Sequence, residues 1–308
     1  MPKIHVEKSI VINKPASEIY TVLNHFGKWQ PWSPWLIAEP DAKVDVAADG
    51  KSYSWEGQVT GAGEMQIESE TENEHIAYNL VFLKPWKSKA KTYFDLKPHG
   101  NGTEVSWSMD SSLPFFMFFM KKMMTTFIGM DYERGLKMLK EYVEDGEVHS
   151  KLEFKGIKTF DGCQYLGIRT KGAASSIEQL MEKDFQNLMG FIHGNHADKI
   201  AGPPFSIYHK FDPVKDKLDY TIGIPLSDIP NDAPDGMFSG EVPKFKGYSI
   251  VHTGPYHHIG NIWSTQIMHQ RSKKYKAAKK PHPIEIYYNS PKDTDAKELI
   301  TEVICAAR

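Results

Sequence analysis

A chain of 308 residues carrying 37 Lys and Arg against 39 Asp and Glu has a formal net charge of −2. It is long enough for two domains with separate cores, and its balanced charge excludes a global pull toward nucleic acid or an anionic membrane. Two distant cysteines, Cys163 and Cys305, exclude a disulfide framework and fit a reducing, cytoplasmic setting.

The opening Met1-Pro-Lys-Ile-His-Val-Glu-Lys lacks the apolar core of a signal peptide. Residues 3–12 alternate as a strand, with Ile4 and Val6 followed by Ile10 and Ile12. Pro15 then opens a helix that has Glu18 in its first turn, where a negative charge suits the helix dipole. Between about 43 and 110, turn signals at Asp49-Gly50, Gly61-Ala-Gly63, Glu72-Asn-Glu74 and His99-Gly-Asn-Gly102 divide five or six short strands. That spacing predicts an antiparallel sheet. The run Leu113–Met120 is strongly apolar but stops at Lys121-Lys122, far short of the ~20 apolar residues that cross a bilayer. From 116 to 144 a helical period places Phe116, Phe119, Met120, Met123, Met124, Phe127, Ile128, Leu136, Leu139, Tyr142 and Val143 on one stripe. Strand, helix, long meander and long amphipathic helix together predict an α+β helix-grip sheet over residues 1–148.

The segments Trp29-Gln-Pro-Trp-Ser-Pro-Trp35, Tyr53-Ser-Trp55-Glu-Gly57, Gly61-Ala-Gly-Glu-Met65 and Gly102-Thr-Glu-Val-Ser-Trp107 resemble the polyketide-cyclase/START-like (SRPBCC) superfamily. The resemblance implies an apolar cavity between a curved sheet and the last helix. Strand alternation puts Tyr53, Trp55 and Trp107 on inward faces, as candidate ligand-binding residues or as ordinary core. The methionines favour a cavity, because unbranched thioethers adapt to varied shapes. No catalytic group stands on those faces; Glu56, Asp95 and Glu104 fall on the outward phase.

Glu144–Lys151 is charged, contains a glycine and lacks periodicity, which predicts a linker. Beyond it the sequence repeats itself. Leu166-Gly-Ile-Arg-Thr-Lys-Gly172 lines up with Tyr248-Ser-Ile-Val-His-Thr-Gly254, each before a helical stretch, at 175–193 and about 257–276. Pro204-Phe-Ser-Ile-Tyr208 returns as Pro283-Ile-Glu-Ile-Tyr287, and Tyr220-Thr-Ile-Gly-Ile-Pro225 parallels Ile300-Thr-Glu-Val-Ile-Cys305. Four matched elements in one order predict a duplicated strand-helix-strand-strand domain over 156–308 with a pseudo-twofold axis. Only the second copy has a carboxylate, Glu285, where the first has Ser206. On its strand, Glu285 and Tyr287 share one face and Ile284 and Ile286 the other. If the helices cover the isoleucine face, Glu285, Tyr287 and Tyr208 meet on the free one. The alternative is an exposed edge strand with Glu285 in water or paired to a lysine.

Gly202-Pro-Pro-Phe-Ser-Ile-Tyr208, Val251-His-Thr-Gly-Pro-Tyr256 with Trp263, Pro283–Tyr287 and Leu299-Ile-Thr-Glu-Val303 resemble the GyrI-like effector-binding domain, a SOUL-related module found alone or on AraC- and MerR-type transcription regulators. The resemblance implies a concave site for small, often aromatic or cationic compounds around a buried glutamate, whose place Glu285 occupies. Tyr287, Tyr208, Tyr256 and Trp263 are its candidate ring contacts. His193, His196, His252, His257 and His258 show no familiar metal-ligand spacing, so no metal and no cofactor is expected. The basic run Arg271–Lys280 is expected at a helix C-terminus, where cations suit the dipole. With no helix-turn-helix pattern, the expected partner is a small-molecule ligand, without direct nucleic-acid or membrane binding and with room for a protein partner. A sensor, carrier or co-regulator is expected; a hydrolase using Glu285 to activate water is the alternative.

Overall fold

The computed structural model describes residues 3–308; Met1 and Pro2, which open the segment expected to lack a leader, lie outside the described residues. The chain divides into two compact units, Met1–Ser150 with Ile267–Ser272, and Lys151–Gln266 with Lys273–Arg308. No helix among the described residues is long and apolar enough to cross a membrane.

The first unit is built on β1 (Lys3–Ile12), which buries Ile4, Val6 and Ile12 on alternate positions. Helix α1 (Ala16–Leu23) starts after Pro15 and buries Ile19, Tyr20 and Leu23. Six strands follow: β2 (Lys43–Val46), β3 (Ser52–Gly57), β4 (Gly61–Thr71), β5 (His75–Lys84), β6 (Ser88–His99) and β7 (Gly102–Ser112). They form one antiparallel sheet in the order β1-β7-β6-β5-β4-β3-β2. Helix α2 (Lys121–Asp145) lays Tyr132, Leu136, Met138 and Leu139 into the core and ends where Gly146 takes the left-handed conformation, φ 82°. The helix-grip arrangement is therefore present.

Two local expectations change. Gly61–Gly63 opens β4 instead of forming a turn; the chain reverses just before it, where the Glu39 carboxylate accepts hydrogen bonds from the backbone N–H groups of Gln58, Val59 and Thr60, each 2.8 Å. A Cβ at Gly57 would stand 2.1 Å from Glu39 Oε2, so only glycine admits this contact. The apolar stripe also breaks. Phe115–Met120 forms a 3-10 segment before α2, and Phe116 and Phe119 are exposed, with Met123 and Phe127 partly so. Three residues per turn there, against 3.6 in α2, take the stripe out of line.

The second unit holds β8 (Lys151–Phe160), β9 (Cys163–Gly172), α3 (Ile177–Asn195), β10 (Phe205–Asp212), β11 (Lys217–Pro225), β12 (Met237–Val242), β13 (Phe245–Thr253), the part of α4 (Ile259–Arg271) up to Gln266, β14 (Ile284–Tyr287) and β15 (Ile300–Ala306). Eight strands make one antiparallel sheet in the order β12-β9-β11-β10-β14-β15-β13-β8. The order reads the same from both ends once the halves are exchanged, so the duplication is a pseudo-twofold between β10 and β14. Each half also has a strand that the sequence reading did not assign to the repeat: β8 crosses to pair with β13, and β12 pairs with β9. Symmetry confirms Leu166 against Tyr248, since Thr170 faces Tyr220 as His252 faces Thr301. Downstream the echo shifts by one residue, placing Tyr220 with Thr301 and not with Ile300. Helix α4 ends at Arg271, so most of the basic run follows it instead of occupying its last turn.

Candidate functional site around Glu285

At the centre of the eight-stranded sheet, Ser206 of β10 pairs directly with Glu285 of β14. The two positions related by the pseudo-twofold therefore face each other, and one of them carries an acid. Glu285 is 1% exposed, with sheet neighbours on both sides of its strand. The alternative of a solvated edge strand is excluded.

The helices lie on the opposite face from the one supposed. Leu188 and Ile192 of α3 pack on Leu166, Leu218, Tyr220, Ile222 and Ile224, and Ile262 of α4 packs on Tyr248, Ile250 and Val303. Ile222 and Val303 are the cross-strand partners of Ser206 and Glu285, so the helices cover the Glu285 face. Ile284 and Ile286 face away, into a separate core with Tyr165, Phe205, Ile207, Phe245 and Ile304. The acid thus stands beneath helix side chains, not on an open concave surface. Strand alternation correctly groups Glu285 with Tyr287 and Tyr208; it cannot tell which face a helix will choose.

Three neutral donors hold the carboxylate. Tyr287 Oη donates to Glu285 Oε1 at 2.5 Å, Tyr208 Oη reaches the same oxygen at 3.5 Å, and the Trp263 indole N–H from α4 donates to Oε2. Ser206 Oγ lies 3.1 Å from Tyr287 Oη, which makes a Ser206–Tyr287–Glu285 hydroxyl chain. Rings wall the group: Trp263 packs edge-on to Tyr208 at 4.9 Å, and Tyr287 meets Phe185 of α3 at 5.5 Å and Tyr256 at 5.8 Å. Tyr256 is the solvent-exposed member. Burial pushes the Glu285 carboxyl above the usual carboxylate range, and the bonds from Tyr287, Trp263 and Tyr208 recover only part of that shift. No Lys, Arg or His pairs with it among the described residues. Burial also raises the phenols, Tyr256 to about 12 and Tyr208 and Tyr287 well above their usual value, so all three remain donors at neutral pH. Phe185 and Met181, whose sulfur lies 3.6 Å from the Tyr208 hydroxyl oxygen, complete the wall. Their positions on the apolar side of α3 were the only sequence signal for them.

A second buried acid, Glu302, lies on the neighbouring strand β15 opposite Ile286, and so on the other face. Glu302 accepts from Lys158 at 2.6 Å, from Tyr288 at 2.5 Å and from Ser249. Burial raises this carboxyl too, but those bonds outweigh it and hold the group low. A buried, cation-paired acid of this kind is structural.

In the first unit the aromatic candidates separate. Trp107 is stacked on Tyr132 (4.0 Å) and on Phe94 (4.9 Å), and its indole N–H donates to Thr92 Oγ1 at 2.9 Å. Both faces and the polar edge of Trp107 are occupied by protein. Tyr53 and Trp55 are half-buried and stacked on each other at 5.4 Å, with Tyr53 also against Phe26 at 4.6 Å. Glu56 is at the surface, paired with Lys84.

Residues 3–144 match the family model described as polyketide cyclase / dehydrase and lipid transport, and residues 156–307 match the GyrI-like small molecule binding domain. No curated protein sequence matches the chain. Among solved structures the chain is similar to the EcmrR C-terminal domain, at 16% identity and TM-score 0.40, covering 52% of this chain and 98% of that one. It is also similar to Aha1 from Colwellia psychrerythraea, at 16% identity and TM-score 0.35, covering 46% and 98%. A third is CalU16 from Micromonospora echinospora, at 14% identity and TM-score 0.32, covering 47% and 77%. Likeness at this level carries nothing about what this chain binds.

Proposed function

We infer that this chain, which joins a polyketide cyclase / dehydrase-type domain to a GyrI-like small-molecule-binding domain, binds hydrophobic or aromatic small molecules, delocalised cations above all, at Glu285. The observation that carries this is a buried carboxylate that, among the described residues, is held by two phenols and an indole and by no cation. A desolvated negative charge without a cation is costly, and a ligand cation removes that cost. The surrounding tyrosine and tryptophan rings add cation–π attraction of ~0.5–2 kcal/mol per contact. The Trp263 indole N–H holds Oε2, so a ligand cation that pairs with that oxygen takes the place of the indole. The domain limits 1–148 and 156–308 belong to the same proposal. So does a role as cytoplasmic sensor, carrier or co-regulator without its own DNA-binding element. A ligand of the first domain would meet Tyr53 and Trp55, whose rings are half-buried, before the enclosed Trp107.

Native mass spectrometry of the purified chain tests this. A small molecule retained by the parent and lost from Glu285→Gln supports it, and equal retention by both contradicts it. A second reading, a hydrolase, is favoured by the Ser206–Tyr287–Glu285 hydroxyl chain and by a carboxyl raised toward the range of a general base. It predicts turnover of an electrophilic ligand, with a product seen by mass spectrometry and abolished by the same substitution.

A further inference from the structure

We propose that the phenylalanine-rich turn of the N-terminal domain docks that domain on an anionic lipid surface. Phe115, Phe116, Phe118 and Phe119 are 60–77% exposed in the 3-10 segment that precedes α2, and Met123 and Phe127 continue the patch. Trp86, 64% exposed, stands on the β5–β6 turn, and the exposed Leu83 is near the end of β5. Ala90 pairs with Ser111 and Phe82 with Ser88. The β5–β6 turn and the segment after β7 are therefore at the same end of the sheet. Contiguous aromatic surface of this kind on a water-exposed domain marks an interaction site.

Charge identifies the occupant. Residues 75–94 and 111–130 contain no Asp or Glu. Lys84 is paired with Glu56 and Lys91 with Glu68, whereas Lys87, Lys89, Lys121 and Lys122 make no ion pair among the described residues. Aromatic rings at headgroup depth with lysines at the phosphates is the arrangement of an interfacial anchor. No helix among the described residues is long and apolar enough to cross a bilayer, and the contact proposed is a peripheral one. A second copy fits less well, because a twofold contact would set the same lysines against each other with no acid in either segment. The near-neutral total charge, from which no membrane partner was expected, conceals this local asymmetry.

Co-sedimentation of the full chain with phosphatidylcholine vesicles, with and without phosphatidylglycerol, tests the proposal. The chain is expected to pellet with the anionic vesicles, to be released by salt, and to show Trp86 quenching by brominated lipid that Trp86→Phe removes. The double variant Phe116→Ser and Phe119→Ser, at exposed positions and checked for folding by circular dichroism, is expected to bind at least about tenfold more weakly. Lys121→Glu and Lys122→Glu are each expected to weaken binding about fivefold or more. Absence of sedimentation with anionic vesicles overturns the proposal, as does sedimentation indifferent to these variants. Self-association abolished by the same variants, without vesicle binding, overturns it in favour of a second copy of the chain.

Discussion

Glu39 in the first unit and Glu285 in the second are both buried carboxylates, yet they are held in opposite ways. Burial raises Glu39, but three backbone N–H groups and the Thr60 hydroxyl together outweigh it and leave the group below its usual range. Burial raises Glu285, and two phenols and an indole do not bring it back. Glu302, next to a lysine, behaves like Glu39. Burial alone therefore does not identify a binding acid. The distinguishing feature is how much compensation the protein itself supplies, and at Glu285 the hydrogen bonds recover less than burial costs.

The largest expected effect breaks the first side of this comparison. Glu39→Ala strands the N–H groups of Gln58, Val59 and Thr60 and should cost about 3–5 kcal/mol in urea unfolding; a loss below about 1 kcal/mol would remove the contrast. Since the folded pKa of Glu39 is depressed, its contribution is present above the unfolded value and disappears as pH falls through the folded one. Next, Lys158→Met should turn Glu302 into an acid of the Glu285 kind, costing about 2 kcal/mol at neutral pH. That cost should shrink on acidification, as the uncompensated carboxyl takes up its proton. Smaller and opposite in sign, Glu285→Gln should stabilise the chain by on the order of 1 kcal/mol at neutral pH. The folded pKa of Glu285 is raised, so its favourable contribution is complete below the unfolded value of about 4.5 and is lost as pH rises through the folded one. The advantage of Gln should therefore narrow toward pH 4.5, and thermal melts across pH check this.

Much of this was legible beforehand because it depends on local pattern. Alternation grouped Glu285 with Tyr287 and Tyr208, and the Pro204–Tyr208 echo located the pseudo-twofold and its single acid. The resemblances stated from Trp29–Trp35 and from Pro283–Tyr287 agree with the two families matched. What escaped depends on long-range packing. Both faces of the sheet are apolar: α3 and α4 pack on Ile222, Ile224, Tyr248 and Val303, while Phe205, Ile284, Ile286 and Ile304 make a second core opposite, so apolar pattern alone does not say which face the helices take. The crossing of β8 and β12 leaves no mark in their own sequences. The stripe from Phe116 to Phe127 has a helical period, but periodicity does not report that a 3-10 start carries half of it into solvent.

The most direct test is a calorimetric titration of the parent chain and Glu285→Gln with tetraphenylphosphonium, using neutral triphenylphosphine oxide as the comparison. Neutralising a buried carboxylate that contacts a desolvated cation should weaken the phosphonium at least about tenfold while leaving the oxide nearly unchanged. If the phosphonium binds the parent and the Gln variant equally, or binds neither, Glu285 is not the group that selects the ligand, and the contrast with Glu39 has no functional meaning.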